Sequence, residues 1–309
     1  MNFITCNNIS KFYGQTQALQ NISFEVAQNE VFGFIGPDGA GKTTLFRILA
    51  TLLLGNSGSV TINGWDIVKE YKIIRNNVGY MPGRFSLYQD LSVEENLKFF
   101  ATIFGTNIKE NYDLIRDIYI QIEPFKHRQA GKLSGGMKQK LALCCALIHK
   151  PALLILDEPT TGVDAVSRKE FWEMLKKLRQ KGITIIVSTP YMDEAVLCDR
   201  VALIQQGKIL QINTPEGIIS NYPKKLFAIG SSDLYKLKND LLQYSNCESV
   251  HLFGQYLHYT DKTDMLNYAE IQQFLMQKGN IDIHMESIEP GIEDCFISLM
   301  TEMPAKNED

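Results

Sequence analysis

Residues 31 to 53 read VFGFIGPDGAGKTTLFRILATLL, and their order decides the fold. The opening VFGFI is apolar throughout, as a strand buried on both faces of a parallel sheet requires. Gly36-Pro37-Asp38-Gly39-Ala40-Gly41-Lys42-Thr43 then fits the spacing GxxxxGK[ST], and TTLFRILATLL continues with apolar residues at helical spacing. A glycine-rich turn between strand and helix lets the backbone wrap a phosphate closely, and the helix N-terminus adds its dipole. Lys42 is placed to reach β and γ phosphates, Thr43 to offer a hydroxyl to Mg2+, and Thr44 to complete the phosphate-binding set.

Downstream, Leu153-Leu154-Ile155-Leu156-Asp157-Glu158 is a second buried strand, ending in adjacent carboxylates. In an open α/β sheet the strand ends face the ligand. Asp157 is expected to hold Mg2+, directly or through water, and Glu158 to take the proton from an attacking water. Taken alone, an acidic pair at a strand end is more often a solvated loop start; the phosphate loop earlier in the chain reverses that reading. Between the two lies Lys132-Leu133-Ser134-Gly135-Gly136-Met137-Lys138-Gln139-Lys140, opening the helix MKQKLALCCALIH. Ser134 has the place of an N-cap, and Gly135 and Gly136 leave backbone N–H groups bare at a helix start, a second anion site. Since the first loop satisfies one nucleotide, the second is available to a nucleotide held by another subunit.

Composition sets limits around these motifs. With 309 residues, 45% hydrophobic and 21% charged, the chain can bury a core and divide into two domains. A net charge of −4 and a pI near 5.8 argue against a dedicated nucleic-acid binder. Cys6, Cys144, Cys145, Cys198, Cys247 and Cys295 lack CxxC spacing and a disulfide rhythm, so they read as reduced intracellular thiols. The N-terminus MNFITCNNISKFYG lacks a signal-peptide plan, and the longest apolar run, Leu141 to Ile148, is far below the roughly 18 residues a membrane span needs. The expectation is a cytoplasmic protein, with any membrane role reached through a partner.

From Ile22 to about Ile212, strands such as ALLILD and ITIIVS alternate with helical segments, which gives an α/β class. A helical insertion is expected at about 91–130, where SVEENLKFFATIF opens with Ser92 and Glu95 spaced as a capping box. After Pro215 the pattern reads β-α-β-β-α-β-α. The expected division is therefore 1–223 for a nucleotide-binding domain, 224–302 for a small α+β domain, and 303–309 for a polar tail.

The phosphate loop, LSGGMKQK, LLILDEP and TTGVD, in this order, resemble the nucleotide-binding subunit of an ABC transporter over roughly residues 1–220. The resemblance implies a P-loop ATPase fold with an antiparallel β subdomain, ATP and Mg2+ as ligands, and two kinds of partner: membrane permease subunits and a second ABC ATPase subunit, identical or not. It implies that Tyr13, in KFYG, stacks on adenine. Ser134, Gly135 and Gly136 would clamp ATP held by the facing subunit, and Asp164, in TTGVD, would lie along the dimer interface with a part in catalysis. The C-terminal domain, ending EPGIEDCFISLM, resembles the extension on ATPases of bacterial multidrug exporters with separate permeases, which places the chain at the inner face of the cell membrane.

Two positions depart from the family pattern. VGYMPGRF puts Gly83 where a glutamine is expected, and STPYMDEA puts Pro190 where a histidine that senses the γ-phosphate is expected. Proline has no N–H to give. One reading is tolerated drift; the other is normal ATP binding with weak hydrolysis in cis, each lost donor being worth about 10²- to 10³-fold in rate. Asp193 and Glu194 read as acidic residues in the first turn of an ordinary helix. Arg84, Phe85 and Tyr88 read either as a surface toward a permease or as local packing. A soluble ABC ATPase without a permease is the competing function, and a regulatory ATP-binding subunit a third; the fused double cassette or long coiled coil of the soluble kind is not present in this sequence.

Overall fold

The computed structural model describes residues 2–263 and 266–301; the expected tail lies outside the described residues. Packing divides the chain into two compact units, residues up to Ile218 together with the stretch from Leu299, and Ile219–Ser298.

The first unit opens with two long strands, β1 (Asn2–Tyr13) and β2 (Thr16–Ala27), followed by β3 (Val31–Ile35) and α1 (Lys42–Leu49). Then come β4 (Ser57–Ile62), β5 (Trp65–Asp66), α2 (Tyr71–Asn77) and β6 (Val78–Met81). The insertion supplies α3 (Val93–Ile103) and α4 (Tyr112–Tyr119), and α5 (Gly135–Leu147) returns to the sheet. The unit continues through β7 (Leu153–Asp157), α6 (Ala165–Gln180), β8 (Thr184–Thr189), β9 (Arg200–Gln205) and β10 (Lys208–Asn213) to α7 (Pro215–Ser220).

Two sheets result. One is antiparallel in the order β2-β1-β4-β5; the other runs β10-β9-β3-β8-β7-β6, parallel except for the β9–β10 hairpin. β3, β7 and β8 are buried at every residue, the reason their central residues form unbroken apolar runs rather than alternating, with polar residues only at the strand ends (Asp157, Thr184, Ser188 and Thr189). Phe24 on β2, Phe34 on β3 and Phe46 on α1 meet edge to face at 4.9 and 5.6 Å. Leu45, Phe46, Ile48 and Leu49 are fully buried, each worth about 1.5–3 kcal/mol, and this burial rather than length holds so short a helix. The start of α1, and with it the glycine-rich loop, is thereby fixed against both sheets.

Ser92 accepts the Glu95 N–H while the Glu95 carboxylate accepts the Ser92 N–H, completing the capping box of α3. Two expectations need correction. α1 stops at Leu49 instead of running through TLL, because Thr51 takes a left-handed φ of 59°. The residues after Pro190 form a short 3-10 turn, Met192–Leu197, not an ordinary α-helix, and Glu194 points inward from it.

The second unit contains β11 (Leu226–Gly230), α8 (Leu234–Leu241), β12 (Cys247–Phe253), β13 (Tyr256–Asp261), α9 (Tyr268–Gln277), β14 (His284–Ile288) and the start of α10 (Ile292–Thr301). All strand pairs are antiparallel in the order β12-β13-β11-β14, a split β-α-β-β-α-β arrangement. Phe227, Ile229, Leu257 and Tyr259 pack with Leu237, Leu241, Ile271 and Leu275 of α8 and α9.

Candidate nucleotide-binding site

The glycine-rich loop links the end of β3 to α1, and two of its glycines have strict reasons. A Cβ on Gly36 would lie 2.1 Å from the carbonyl oxygen of Ile204 on β9. Gly41 has φ 104°, and a Cβ there would also meet the Ala18 carbonyl at 2.7 Å. The side chains of Ser92, Ser134 and Asp164 cap α3, α5 and α6, whereas α1 has no side-chain cap. The first-turn N–H groups that a helix cannot satisfy internally lie at a pocket of about 270 Å³. Tyr13, Ala18, Gly39, Ala40, Gly41, Lys42, Thr43, Thr44 and Glu158 line it.

Lys42, only 3% exposed, donates to the carbonyls of Gly36 (2.7 Å) and Pro37 (3.0 Å), and its Nζ lies 3.1 Å from Glu158 Oε1. The carboxylate expected to act as base is thus the counterion of the lysine expected to reach phosphate. Asp38 is exposed and outside the lining. Tyr13, the last residue of β1, is 47% exposed beside the loop rather than a core aromatic.

Asp157 is 1% exposed, and its Oδ1 accepts from Ser188 Oγ at 2.7 Å. The Glu158 N–H in turn reaches Ser188 Oγ (2.9 Å), and Glu158 adopts a left-handed φ of 48°, which turns its side chain away from the strand direction toward Lys42. Ser188 therefore orients both carboxylate residues, a role that no spacing in the sequence reveals. Burial, with the nearby Asp157 charge, pushes the Tyr80 phenol up to about 12, so it stays neutral.

Gly83 lies against the carboxylate pair and Pro190 directly follows the end of β8, both outside the pocket lining. A Cβ on Gly83 would lie 3.1 Å from the Asp157 carbonyl oxygen and 3.8 Å from Glu158 Cβ. Pro190 follows Thr189, whose carbonyl accepts the Gly36 N–H at 3.3 Å. Ser134, Gly135, Gly136 and Asp164 are not brought to this pocket. Ser134 caps α5, accepting from the Met137 N–H at 3.4 Å, and Asp164 caps α6, accepting from the Ser167 N–H at 3.0 Å. That bond, with a second to the Ser167 side chain, holds the Asp164 carboxyl below the usual carboxylate range.

A second, apolar groove of about 410 Å³ has Arg75, Arg84, Phe85, Leu87, Ile103 and His149 among its walls. Tyr88 is instead packed edge to face on Phe99 at 4.8 Å. His149 stacks on Phe104 and bonds to the Val78 carbonyl, and its Nδ1 is buried without a partner. No helix among the described residues is long and apolar enough to cross a membrane.

The sequence pattern of the ABC transporter family matches residues 19–161. The chain is 37% identical over 304 residues to the "Probable multidrug ABC transporter ATP-binding protein YbhF" of Escherichia coli (strain K12), covering 96% of this chain and 52% of that protein, so it spans about half the relative's length. It is 32% identical to the "Nod factor export ATP-binding protein I" of Rhizobium sp. (strain N33), covering 94% of both chains. Among solved structures, one titled "Structure of ATP binding subunit of ABC transporter" superposes with a TM-score of 0.65 at 26% identity, covering 71% of this chain and 93% of that one. The loop, the carboxylate pair and the two-sheet architecture thus coincide with a match over nearly the full length of a relative, and the chain belongs to the ATP-binding proteins of the ABC transporter family, the P-loop ATPase cassettes.

Proposed function

We propose that the chain binds ATP with Mg2+ in the Lys42 pocket, couples that binding to export through a separate permease, and hydrolyses ATP slowly in its own site. The pocket that joins Tyr13, the uncapped start of α1, Lys42 and Glu158 carries the reading. Tyr13 offers an exposed ring to a base, and the first-turn N–H groups with Lys42 offer donors to phosphate oxygens. Hard oxygen donors suit Mg2+: Thr43 and the buried Asp157 would hold it, with phosphate and water oxygens completing the set. Bound there, the ion would neutralise phosphate charge. Glu158, released from Lys42 by the phosphates, would be free to accept a proton from water.

Slow hydrolysis is supported by the placement of Gly83 against Asp157 and Glu158 and of Pro190 beside the loop start, since neither contributes a side-chain donor. The apolar groove is read as the permease surface: Arg75 and Arg84 on its walls fit a segment that is apolar with an acidic residue. Peripheral attachment at the inner face of the membrane follows from that contact. Ser134, Gly135, Gly136 and Asp164 are left for a nucleotide on a facing subunit.

Single-turnover hydrolysis by the wild type, Pro190→His and Glu158→Gln, with nucleotide binding confirmed in each, tests the reading. Restoring one donor is expected to raise the rate about 10²-fold. A wild type that already turns over at the Pro190→His rate, while Glu158→Gln does not, would remove the slow-site reading and leave the ATPase assignment intact.

A further inference from the structure

Glu194 is an acidic residue only 2% exposed, in a turn too short to need a helix-dipole partner. Its Oε1 accepts from Arg168 Nε at 3.1 Å, and its Oε2 accepts from Thr160 Oγ1 at 3.1 Å. Arg168 also reaches the Asp193 carboxylate at 3.3 Å and lies 4.2 Å from the Tyr191 ring centre. The clamp therefore gathers three segments, each next to a motif: Thr160 two residues past Glu158, Arg168 four past Asp164, and Glu194 four past Pro190.

The clamp continues to the second anion site. Arg168 N–H donates to the Asp164 carbonyl at 2.9 Å, which places the first turn of α6. That turn abuts the start of α5 so closely that a Cβ on Gly136 would lie 2.7 Å from Ser167 Oγ, and one on Gly135 3.3 Å from the Gly162 carbonyl oxygen. Thr161 and Gly162 between the anchors are exposed. A displacement of the Glu158 turn would dissipate in that loop if Thr160 were not bolted to Glu194.

Burying an ion pair is a poor way to add stability, because desolvation offsets the attraction; what it does impose is one geometry on the groups it joins. Phosphates that take Lys42 compete with its pair to Glu158, and Glu158 starts the turn that contains Thr160, its carbonyl accepting the Thr161 N–H at 3.2 Å. We infer that Glu194 is a positioning residue: through Thr160 and Arg168 it makes the Glu158 turn and the start of α6 one rigid piece, so that nucleotide in the chain's own pocket is felt at Ser134–Gly136. The inference rests on the nucleotide reading above.

Amide hydrogen exchange on the full chain, with and without ADP, tests it in the wild type, Thr160→Val and Glu194→Gln. In the wild type, ADP is expected to slow exchange in the Gly39–Thr44 stretch and to change it at 134–138 by about 5-fold or more, the usual size of a coupling between sites. Thr160→Val keeps the buried volume and removes one bond; it is expected to retain the loop protection and lose the response at 134–138, with Glu194→Gln doing the same if it folds. A wild type without a response at 134–138, or a Thr160→Val response of wild-type size, overturns the inference while leaving the nucleotide site standing. Absence of protection at Gly39–Thr44 in the wild type overturns the nucleotide reading and this inference together.

Discussion

Replacing Glu158 with glutamine should tighten nucleotide binding, not merely stop hydrolysis. Glu158 Oε1 lies 3.1 Å from Lys42 Nζ, with the lysine 2% and the glutamate 21% exposed. At an effective dielectric of about 20 the gross attraction at that distance is roughly 5 kcal/mol. Most of it is offset by desolvating the lysine and by water at the exposed face of the glutamate, leaving a net of about 1–2 kcal/mol. Phosphates must displace this counterion before Lys42 can turn to them. Glutamine keeps the shape and a weak acceptor but removes the charge, so the released affinity should be about 5- to 30-fold, at 1.4 kcal/mol per tenfold. The assay is calorimetric titration with ADP and with a non-hydrolysable ATP analogue, at protein concentrations low enough to keep the chain monomeric. Neither ligand is consumed, so slower turnover cannot imitate tighter binding. Unchanged or weaker affinity in Glu158→Gln would refute the idea that the carboxylate competes for Lys42.

Gly36→Ala should destabilise the first unit by more than about 3 kcal/mol and abolish nucleotide binding, read by thermal melting and titration, because a Cβ 2.1 Å from the Ile204 carbonyl can only be housed by moving β9. His149 supplies a pH dependence: burial lowers its pKa to about 4 from an ordinary value near 6.5. The unfolded chain therefore binds a proton that the folded chain refuses between those values, so stability is full above about pH 6.5 and falls as pH drops toward 4. Urea unfolding at pH 7.5 and pH 5 should show a loss on the order of 1–2 kcal/mol in the wild type that is smaller in His149→Phe, which keeps the stack on Phe104. An equal loss in both would assign the acid sensitivity elsewhere.

Legibility followed the range of the physics. β3, β7 and β8 were readable because strands buried on both faces carry nearly unbroken runs of apolar and β-branched residues, and GxxxxGK[ST] fixed the turn after β3. The order of elements in the second unit was readable because each has its own periodicity and turn residues. β1 was harder: NFITCNNISKFY mixes asparagines into the strand, and its pairing with both β2 and β4 through several register shifts is a long-range fact. The end of α1 was misplaced because TLL keeps a helical pattern, while the left-handed turn at Thr51 is set by the packing around it.

At the site, residue type told which groups could act and said nothing of how they are held. Lys42 and Glu158 were identified separately, yet their mutual pairing depends on the left-handed turn at Glu158 that ends β7. Ser188 lies 31 residues from Asp157 and orients it through one hydroxyl, which only the parallel pairing of β7 with β8 brings within reach. Glu194 shows the limit most sharply. An acid in the first turn after Pro190 fits the helix dipole, and that local reason suffices until Arg168 and Thr160 are seen to enclose it. A carboxylate with a local explanation and a long-range employment is indistinguishable from one with the local explanation alone, because burial is a property of the assembled chain. The motifs therefore name the chemistry, while the residues that set its geometry belong to partners two or three elements away.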